Sequence, residues 1–417
     1  MPFYPGLTSV APSPLTKGLL YVGTDDGRLR MSNDDGKSWT DLQDRLPGLP
    51  KSSWFGGIEA SRHTANTVYV AIDNHRSNDL NNYIYKSVDG GRSFTAIAGD
   101  MPAGRVVRTI REDVKNPNLL FAGTEIGLFF SPNGGTNWIE LKNNLPTLPH
   151  NDLVIHPRDN DLVLATHGRG VWILDKINAL QELTPRVLAS PAHLFTVAPA
   201  YQIRQTNVKA HTGDMWFRGE NPTNGALVDY WLGAAGSTPA ITVHSAGGQV
   251  VNTLRASSAK GVNRVVWNLR ESDLPIRGGG GDDDAPQAGA GTPGPLVPPG
   301  VYVIRLVAGG RTLEQKVDVR EDPRIDVTPA ERKLWTDAQA QSSALARMFG
   351  PVNDRIQKLP NTAADAAELT RQSRELVSRI AGLYGSISRW TGAPTKDQMT
   401  RLAYYQTMAK QLAATAP

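Results

Sequence analysis

The chain has 417 residues, 40% of them hydrophobic and 20% charged, and its 44 basic and 40 acidic side chains leave a formal charge of +4. That balance, with no basic run interleaved with aromatics, argues against a nucleic-acid partner, and no stretch approaches the roughly 20 apolar residues of a membrane span. The absence of cysteine excludes disulfides, thiol catalysis and Cys-ligated zinc.

The length allows two or three domains. Residues 1–178 read as four β-rich repeats. In the first, residues 8–11 form a short inner strand and 18–24 a strand ending at a turn. Residues 28–32 then enter a hairpin phrase that 39–42 leave. The second repeat uses 67–72 and 83–86, the third 119–124 and 128–130, and the fourth 153–156, 162–166 and 171–174. Four short strands with tight hairpins are the unit of a propeller blade.

The hairpin phrase is Ser-x-Asp-x-Gly-x-Ser-aromatic. It runs through Ser32, Asp34, Gly36 and Trp39, then Ser87, Asp89, Gly91 and Phe94, with a worn third copy at Ser131, Asn133, Gly135 and Trp138. The opening serines lie 55 and 44 residues apart, close to the roughly 40–50-residue period of propeller arrays. Each residue type has a structural task. The Asp or Asn side chain accepts from nearby backbone N–H groups and closes the turn. The glycine takes a positive φ without steric cost, and the aromatic restarts a strand. The phrase is therefore read as structural rather than catalytic.

The phrase resembles the Asp-box, or BNR repeat, of sialidases, sortilin-type receptors and two-propeller xyloglucanases. The stretches 110–113, 115–125 and 161–175 are similar to a bacterial group of secreted BNR/sortilin-like proteins, many of them labelled glycosyl hydrolases on the repeats alone. The resemblance implies a periplasmic or secreted protein. Met1-Pro2-Phe3-Tyr4-Pro5 has no basic start and apolar core, so it does not read as a signal peptide. Four blades are at the low limit for a closed ring, and an open array leaves bare edges. The favoured expectation is a missing N-terminal propeller segment. Closure by a partner chain comes next, and a small four-bladed ring last.

Residues 179–200 read as a Pro-containing connector. Residues 201–323 alternate in short strands, at 227–232, 240–244, 250–254, 263–269, 300–306 and 313–319, which suggests a β-sandwich. It resembles the Ig-like module of the flagellar hook-capping family, most clearly at Pro298-Pro299-Gly300-Val301-Tyr302. The Gly-rich loop 277–299 reads as mobile. Its Asp282, Asp283 and Asp284 lack the spaced ligands of a calcium loop, so no metal is expected. Residues 324–417 read as a helical tail that forms a hairpin or small bundle. A helix begins at Thr328-Pro329, and two more span 363–387 and 395–413. Leu369, Ser373, Leu376, Ile380 and Leu383 mark one face.

The fold expected is mainly β: a partial Asp-box propeller, an Ig-like sandwich and C-terminal helices. Because strands alternate in direction, the turns between second and third strands lie on the face opposite the Asp-boxes. The resemblance implies that this face carries the ligand. It collects Asp25, Asp73, His75, Arg76, Glu125, His167 and Arg169, and the blade-connecting loops add Trp54, Arg108 and His150. All but Asp25 are the candidate ligand residues, and Asp73, Glu125 and Asp25 are the catalytic candidates. A polar mouth of this kind suits a glycan or peptide ligand, and Gly168 and Gly170 allow close approach at His167 and Arg169.

Binding is the first reading. The second is glycoside hydrolysis by paired carboxylates, which needs a separation of about 5–5.5 Å or about 6.5–9.5 Å. The third is a scaffold that assembles through strand edges. Sialidase chemistry is disfavoured because no Arg triad with a Tyr-Glu pair is found. No cofactor is expected: there is no His-Glu-x-x-His and no phosphate loop.

Overall fold

The computed structural model describes residues 5–205, 215, 219, 221–236, 238–276, 292–360, 365–389 and 392–415. The fold is mostly β with C-terminal helices, and it divides into two compact units, Met1–Ser190 and Pro191–Pro417.

The first unit is an array of four small antiparallel sheets in chain order. Blade 1 holds β1 (Leu7–Pro12), β2 (Leu20–Thr24), β3 (Leu29–Ser32) and β4 (Thr40–Asp41). Blade 2 holds β5 (Phe55–Ala60), β6 (Val68–Ile72), β7 (Tyr83–Ser87) and β8 (Thr95–Ala96). Blade 3 holds β9 (Val107–Glu112), β10 (Leu120–Thr124), β11 (Leu128–Ser131) and β12 (Ile139–Glu140). Blade 4 has β13 (His150–His156), β14 (Asp161–Thr166) and β15 (Val171–Leu174).

Each inner strand is apolar on the side that meets the neighbouring blade. Tyr21 and Leu29 of blade 1 pack with Phe55, Ile58, Val70 and Tyr85 of blade 2. Tyr69 and Ala71 of blade 2 pack with Val107, Ile110 and Phe129 of blade 3. Sheets stacked in this way bury faces that a single blade would leave wet.

All four inner strands carry a β-bulge at the same place. Leu7, Phe55, Val107 and His150 pair with Thr24, Ile72, Thr124 and Thr166. The next paired residues, Ser9, Gly57, Thr109 and Asp152, meet Gly23, Ala71, Gly123 and Ala165. One residue is therefore extra in each strand: Thr8, Gly56, Arg108 and Asn151. A bulge kinks its strand and re-aims a side chain.

At the far end of the blades the repeated phrase closes the turn between third and fourth strands. Asp89 Oδ1 accepts from Ser93 N at 3.0 Å and its Oδ2 from Ser93 Oγ at 2.6 Å, while Gly91 N donates to Ser87 Oγ at 2.8 Å. Asp34 and Asn133 make the same bond to the backbone of Ser38 and Asn137. Bonds from Ser38 hold the Asp34 carboxyl down at about 2, and bonds from Ser93 lower Asp89 as well.

The phrase also fastens one blade to the one before it, which the sequence reading did not anticipate. A Cβ built on Gly91 would lie 2.8 Å from Leu42 Cδ1, and one on Gly135 would lie 2.7 Å from Ile97 Cδ1. Arg45 Nη1 donates to Gly91 O at 2.9 Å, and Trp138 Nε1 to Ile97 O at 2.7 Å. Phe94 and Trp138 are accordingly 6% exposed, whereas Trp39 of blade 1 is 41% exposed.

Residues 179–200, the Pro-containing connector, include most of the short helix α1 (Asn178–Glu182), the helix α2 (Pro185–Leu188) and the strand β16 (Ala192–Leu194). In the second unit β16, β18 (Ala226–Leu232) and β21 (Gly261–Trp267) form one sheet. The other contains β17 (Ala200–Tyr201), β23 (Arg311–Arg320), β22 (Gly300–Ala308), β19 (Ala240–His244) and β20 (Val250–Leu254). Their inward residues, among them Val228, Tyr230, Ile241, Ile304 and Val317, form one core. Trp267 lies within it, edge-on to Tyr302 at 5.2 Å, and Tyr302 Oη donates to Pro298 O at 2.8 Å.

Residues 277–291, with Asp282, Asp283 and Asp284, lie outside the described residues. Beyond them the chain is held: Leu274 N donates to Thr292 O at 2.8 Å and Tyr384 Oη to Pro293 O at 2.9 Å.

Three helices follow, α3 (Pro329–Ile356), α4 (Ala366–Ser388) and α5 (Lys396–Thr415). The reciprocal Thr328–Glu331 capping box starts α3. Leu376, Ile380 and Leu383 pack with Trp335 and Phe349, and also with Leu274 and Ile276. Ser373, in the same stripe, is buried and donates to Asn353 Oδ1 at 2.8 Å.

The two roles of the phrase separate by mutation. Gly36 has φ +86° and its built Cβ meets only its own Trp39, whereas Gly91 has φ +82° and meets the preceding blade. Gly36→Ala is expected to cost about 1 kcal/mol, from left-handed backbone strain alone. Gly91→Ala is expected to cost about 2–4 kcal/mol, because Leu42 must also move. Urea unfolding of both variants checks the difference.

Candidate functional site

The bulged ends of the inner strands, the ends of the second strands and the starts of the third strands share the end of the blades opposite the phrase. Here the structure joins six of the candidate residues. Arg108, the extra residue of the β9 bulge, reaches across blades 2 and 3. Its Nη1 lies 3.3 Å from Asp73 Oδ2, and its Nε and Nη2 hold Glu125.

Asp73 follows directly on β6 and is buried. Its Oδ1 also pairs with the His75 ring and accepts from His75 N at 3.3 Å. A buried carboxylate needs such partners, because an unpaired one carries the full desolvation cost. Gly56, the bulge residue of blade 2, makes room: a Cβ there would lie 2.7 Å from Arg108 O.

The insertion after β6 is locked onto the Trp54 strand entry. Asp73 N donates to Trp54 O at 2.9 Å, and Trp54 N to Asn74 Oδ1 at 3.1 Å. Asn74 Nδ2 donates to Ser53 Oγ at 2.9 Å. Asn74 is a buried positioning residue that the sequence reading did not single out, since an Asn in a turn-rich insertion carries no distinguishing signal. With the loop held, Arg76 stacks its guanidinium 4.2 Å from the Trp54 ring centroid. Trp54 is half-buried and Arg76 exposed.

The other candidates are not joined to this cluster by any hydrogen bond or ion pair found among the described residues. Asp25 Oδ1 accepts from Gly6 N at 2.8 Å, which ties the chain before β1 to the β2–β3 turn. His167 and Arg169 are exposed in the β14–β15 turn, where Thr166 Oγ1 donates to Gly170 O at 2.6 Å.

His150, expected at the ligand surface, is fully buried, and neither ring nitrogen has a hydrogen-bond partner among the described residues. The reason is its register. It stands where Phe55 and Val107 stand, at the first bulge position, and it packs over Gly123 of blade 3. Burial pushes its imidazole below the ordinary value.

At the opposite end of the seam between blades 2 and 3 lies a separate polar cluster. Glu112 is buried and accepts from Ser61 Oγ at 2.8 Å, Arg62 N at 2.7 Å and Tyr69 Oη at 3.0 Å. Both of its carboxylate oxygens are taken by donors of blade 2, which makes it a structural clamp between the two blades. No group of three or more His, Cys, Asp or Glu among the described residues is arranged to hold a metal ion, and no described helix is long and apolar enough to cross a membrane.

No family model matches the chain, and no curated protein matches it. Among solved structures it is similar to YCF48 bound to D1 peptide, with 15% identity and a TM-score of 0.32 over 42% of this chain and 53% of that one. It is also similar to an ancestral GH74 enzyme, with 16% identity and a TM-score of 0.34 over 59% and 32%. A third is the GH74 xyloglucanase from Xanthomonas campestris, with 12% identity and a TM-score of 0.33 over 75% and 47%. The chain thus spans only about a third to a half of these structures. Likenesses at this level carry no weight for ligand or reaction.

The buried His150 has a pH signature. Its folded ring takes up a proton less readily than the unfolded one, which does so near the ordinary value of 6.5. The stabilisation is therefore complete above that pH and is lost as pH falls below it. The melting temperature is expected to drop from pH 7 to pH 5, and His150→Phe is expected to flatten the drop, since Phe55 fills the same position in blade 2. Thermal melts of both proteins across that range check this.

Proposed function

We propose that this chain is an extracytoplasmic Asp-box propeller protein that binds a glycan or peptide ligand at the mouth opposite the Asp-boxes. In this reading residues 1–178 are propeller blades, 201–323 an Ig-like sandwich and 324–417 a helical tail, and the protein acts in the periplasm or outside the cell. The observation that carries the reading is the Trp54–Arg76 stack set against the Asp73–Arg108–Glu125 cluster.

An aromatic face suits a sugar ring or an apolar side chain, and the neighbouring charges suit the polar groups of either ligand. The insertion is fixed by Asn74 before any ligand arrives, so little ordering cost falls on binding. Binding is favoured over hydrolysis because Asp73 and Glu125 are both engaged by one guanidinium. A hydrolase instead needs two carboxyl groups flanking the scissile bond.

Arrays of glycans and peptides are the screen, followed by titration calorimetry of the best ligand. Trp54→Ala is expected to weaken binding about 30-fold or more, as a central aromatic anchor does. Asp25→Asn and Arg169→Ala are expected to bind as the parent does. A folded protein that binds nothing on either array overturns the proposal. A glycan that is cleaved, with cleavage lost in both Asp73→Asn and Glu125→Gln, replaces binding with hydrolysis.

A further inference from the structure

The hydrogen-bonding capacity left over at the mouth between blades 2 and 3 is one-sided. Its carboxylates are already accepting. Arg108 holds Asp73 and Glu125, with His75 also on Asp73. Asp79 accepts from Asn81 N at 3.1 Å, from Asn81 Nδ2 at 2.8 Å and from Tyr83 Oη at 3.0 Å. Two guanidinium groups at the same end are not engaged in this way. Arg76 lies exposed on the Trp54 ring, with no hydrogen bond or ion pair among the described residues. Arg105 stands in the loop that enters β9, and its Nε is buried with no hydrogen-bond partner among the described residues. A buried donor without an acceptor is costly.

The backbone fixes where these two groups stand. Arg105 N donates to Asn82 Oδ1 at 2.8 Å, and the next residue, Val106, accepts from Glu125 N at 2.8 Å. Arg105 is therefore anchored on the β7 side of the insertion and next to the Arg108 cluster. Arg76 is held on the β5 side, over Trp54. Spare donors without spare acceptors select for a ligand rich in acceptors. A peptide brings a backbone N–H with almost every residue, and each needs an acceptor that the paired carboxylates no longer offer. A sugar hydroxyl both donates and accepts, so a glycan makes no such demand.

We infer that the ligand is an acidic glycan, a polyuronate whose carboxylates meet Arg76 and Arg105 while one sugar ring lies against Trp54. The inference rests on the mouth being the ligand site, as proposed above. A chain with a carboxylate on each sugar presents a ring to the aromatic and an anion to each guanidinium. Charge-assisted bonds of this kind are stronger than neutral ones, and where they are exposed they weaken as salt rises.

The probes are oligomers of galacturonate, mannuronate and glucuronate, each compared with its methyl ester, which keeps the sugar and removes the charge. Titration calorimetry is expected to show at least one free acid binding about tenfold or more tighter than its ester, with the difference narrowing as salt rises. Arg76→Gln and Arg105→Gln are each expected to weaken binding of the acid about tenfold and to leave the ester unchanged. Both variants are expected to melt with the parent, since neither side chain is hydrogen-bonded among the described residues. Arg169→Ala, which removes the same charge from a turn outside the cluster, is expected to change neither affinity. The inference falls if no acid binds more tightly than its ester, or if both Gln variants bind the acid as the parent does. A neutral glycan or a peptide that is preferred, with binding lost in Trp54→Ala, overturns it and leaves the mouth as the ligand site. Acid binding that survives Trp54→Ala in full overturns both readings.

Discussion

A small antiparallel sheet with two apolar faces cannot bury either face alone, and the first unit is built on the way this chain resolves that demand. At every internal seam a residue opening one inner strand is pressed toward a small residue in the second strand of the blade before it. Phe55 sits over Gly23, His150 over Gly123, and Val107 shares a cluster with Ala71. The bulge that sets this knob in place leaves the next residue outside the ladder. Packing and chemistry thus come from one device. Thr8 spends its freed side chain on backbone bonds to Gly23 O at 3.1 Å and Phe55 O at 2.8 Å. Gly56 has no side chain and admits the backbone of Arg108. Arg108 gathers two carboxylates from two blades.

The opposite end of the blades has the contrary character. There the hydrogen bonds repeat almost without change, from Asp34 to Asp89 to Asn133. Gly91 and Gly135 let blades 2 and 3 touch the blade before them. The clamp around Glu112 ties blades 2 and 3 at the same end. A rigid, repetitive end leaves the other end free to vary its loops, as scaffolds with functional loops do. The insertion at Asp73 to Asp79 is one such variation, and it carries the aromatic–guanidinium stack.

Much of this was legible in the sequence because the signals are local. The turn phrase, the alternation at Ala240–His244 and Val250–Leu254, and the capped start at Thr328 each depend on residues a few positions apart. The alternation of strand direction also places Trp54, Asp73, His75, Arg76, Arg108 and Glu125 at one end. His150 departs from it because a bulge shifts facing by one residue, and side-chain direction in a strand reverses with each residue. Whether His150 or Asn151 points to the mouth is a matter of register, which the sequence does not state. The contact between the phrase and the preceding blade was hidden for a related reason: Gly91 and Leu42 are neighbours only through the stacking of blades. The elements within residues 179–200 are too short to show a period.

The charge arrangement at the mouth follows from burial. Asp73 is almost wholly removed from solvent, so it must keep Arg108 and His75 close whether or not a ligand is present. That obligation fixes Arg108, and through it Glu125, into one position. The half-buried Trp54 ring and exposed Arg76 are held by the Asn74 anchor, which lies next to Asp73 in the chain. The cluster beneath is therefore a stiff support whose charges are already paired, and the surface above it is free to meet a ligand. A site divided in this way recognises shape and π-surface first and charge second, because its strongest ionic contacts are already satisfied inside the protein.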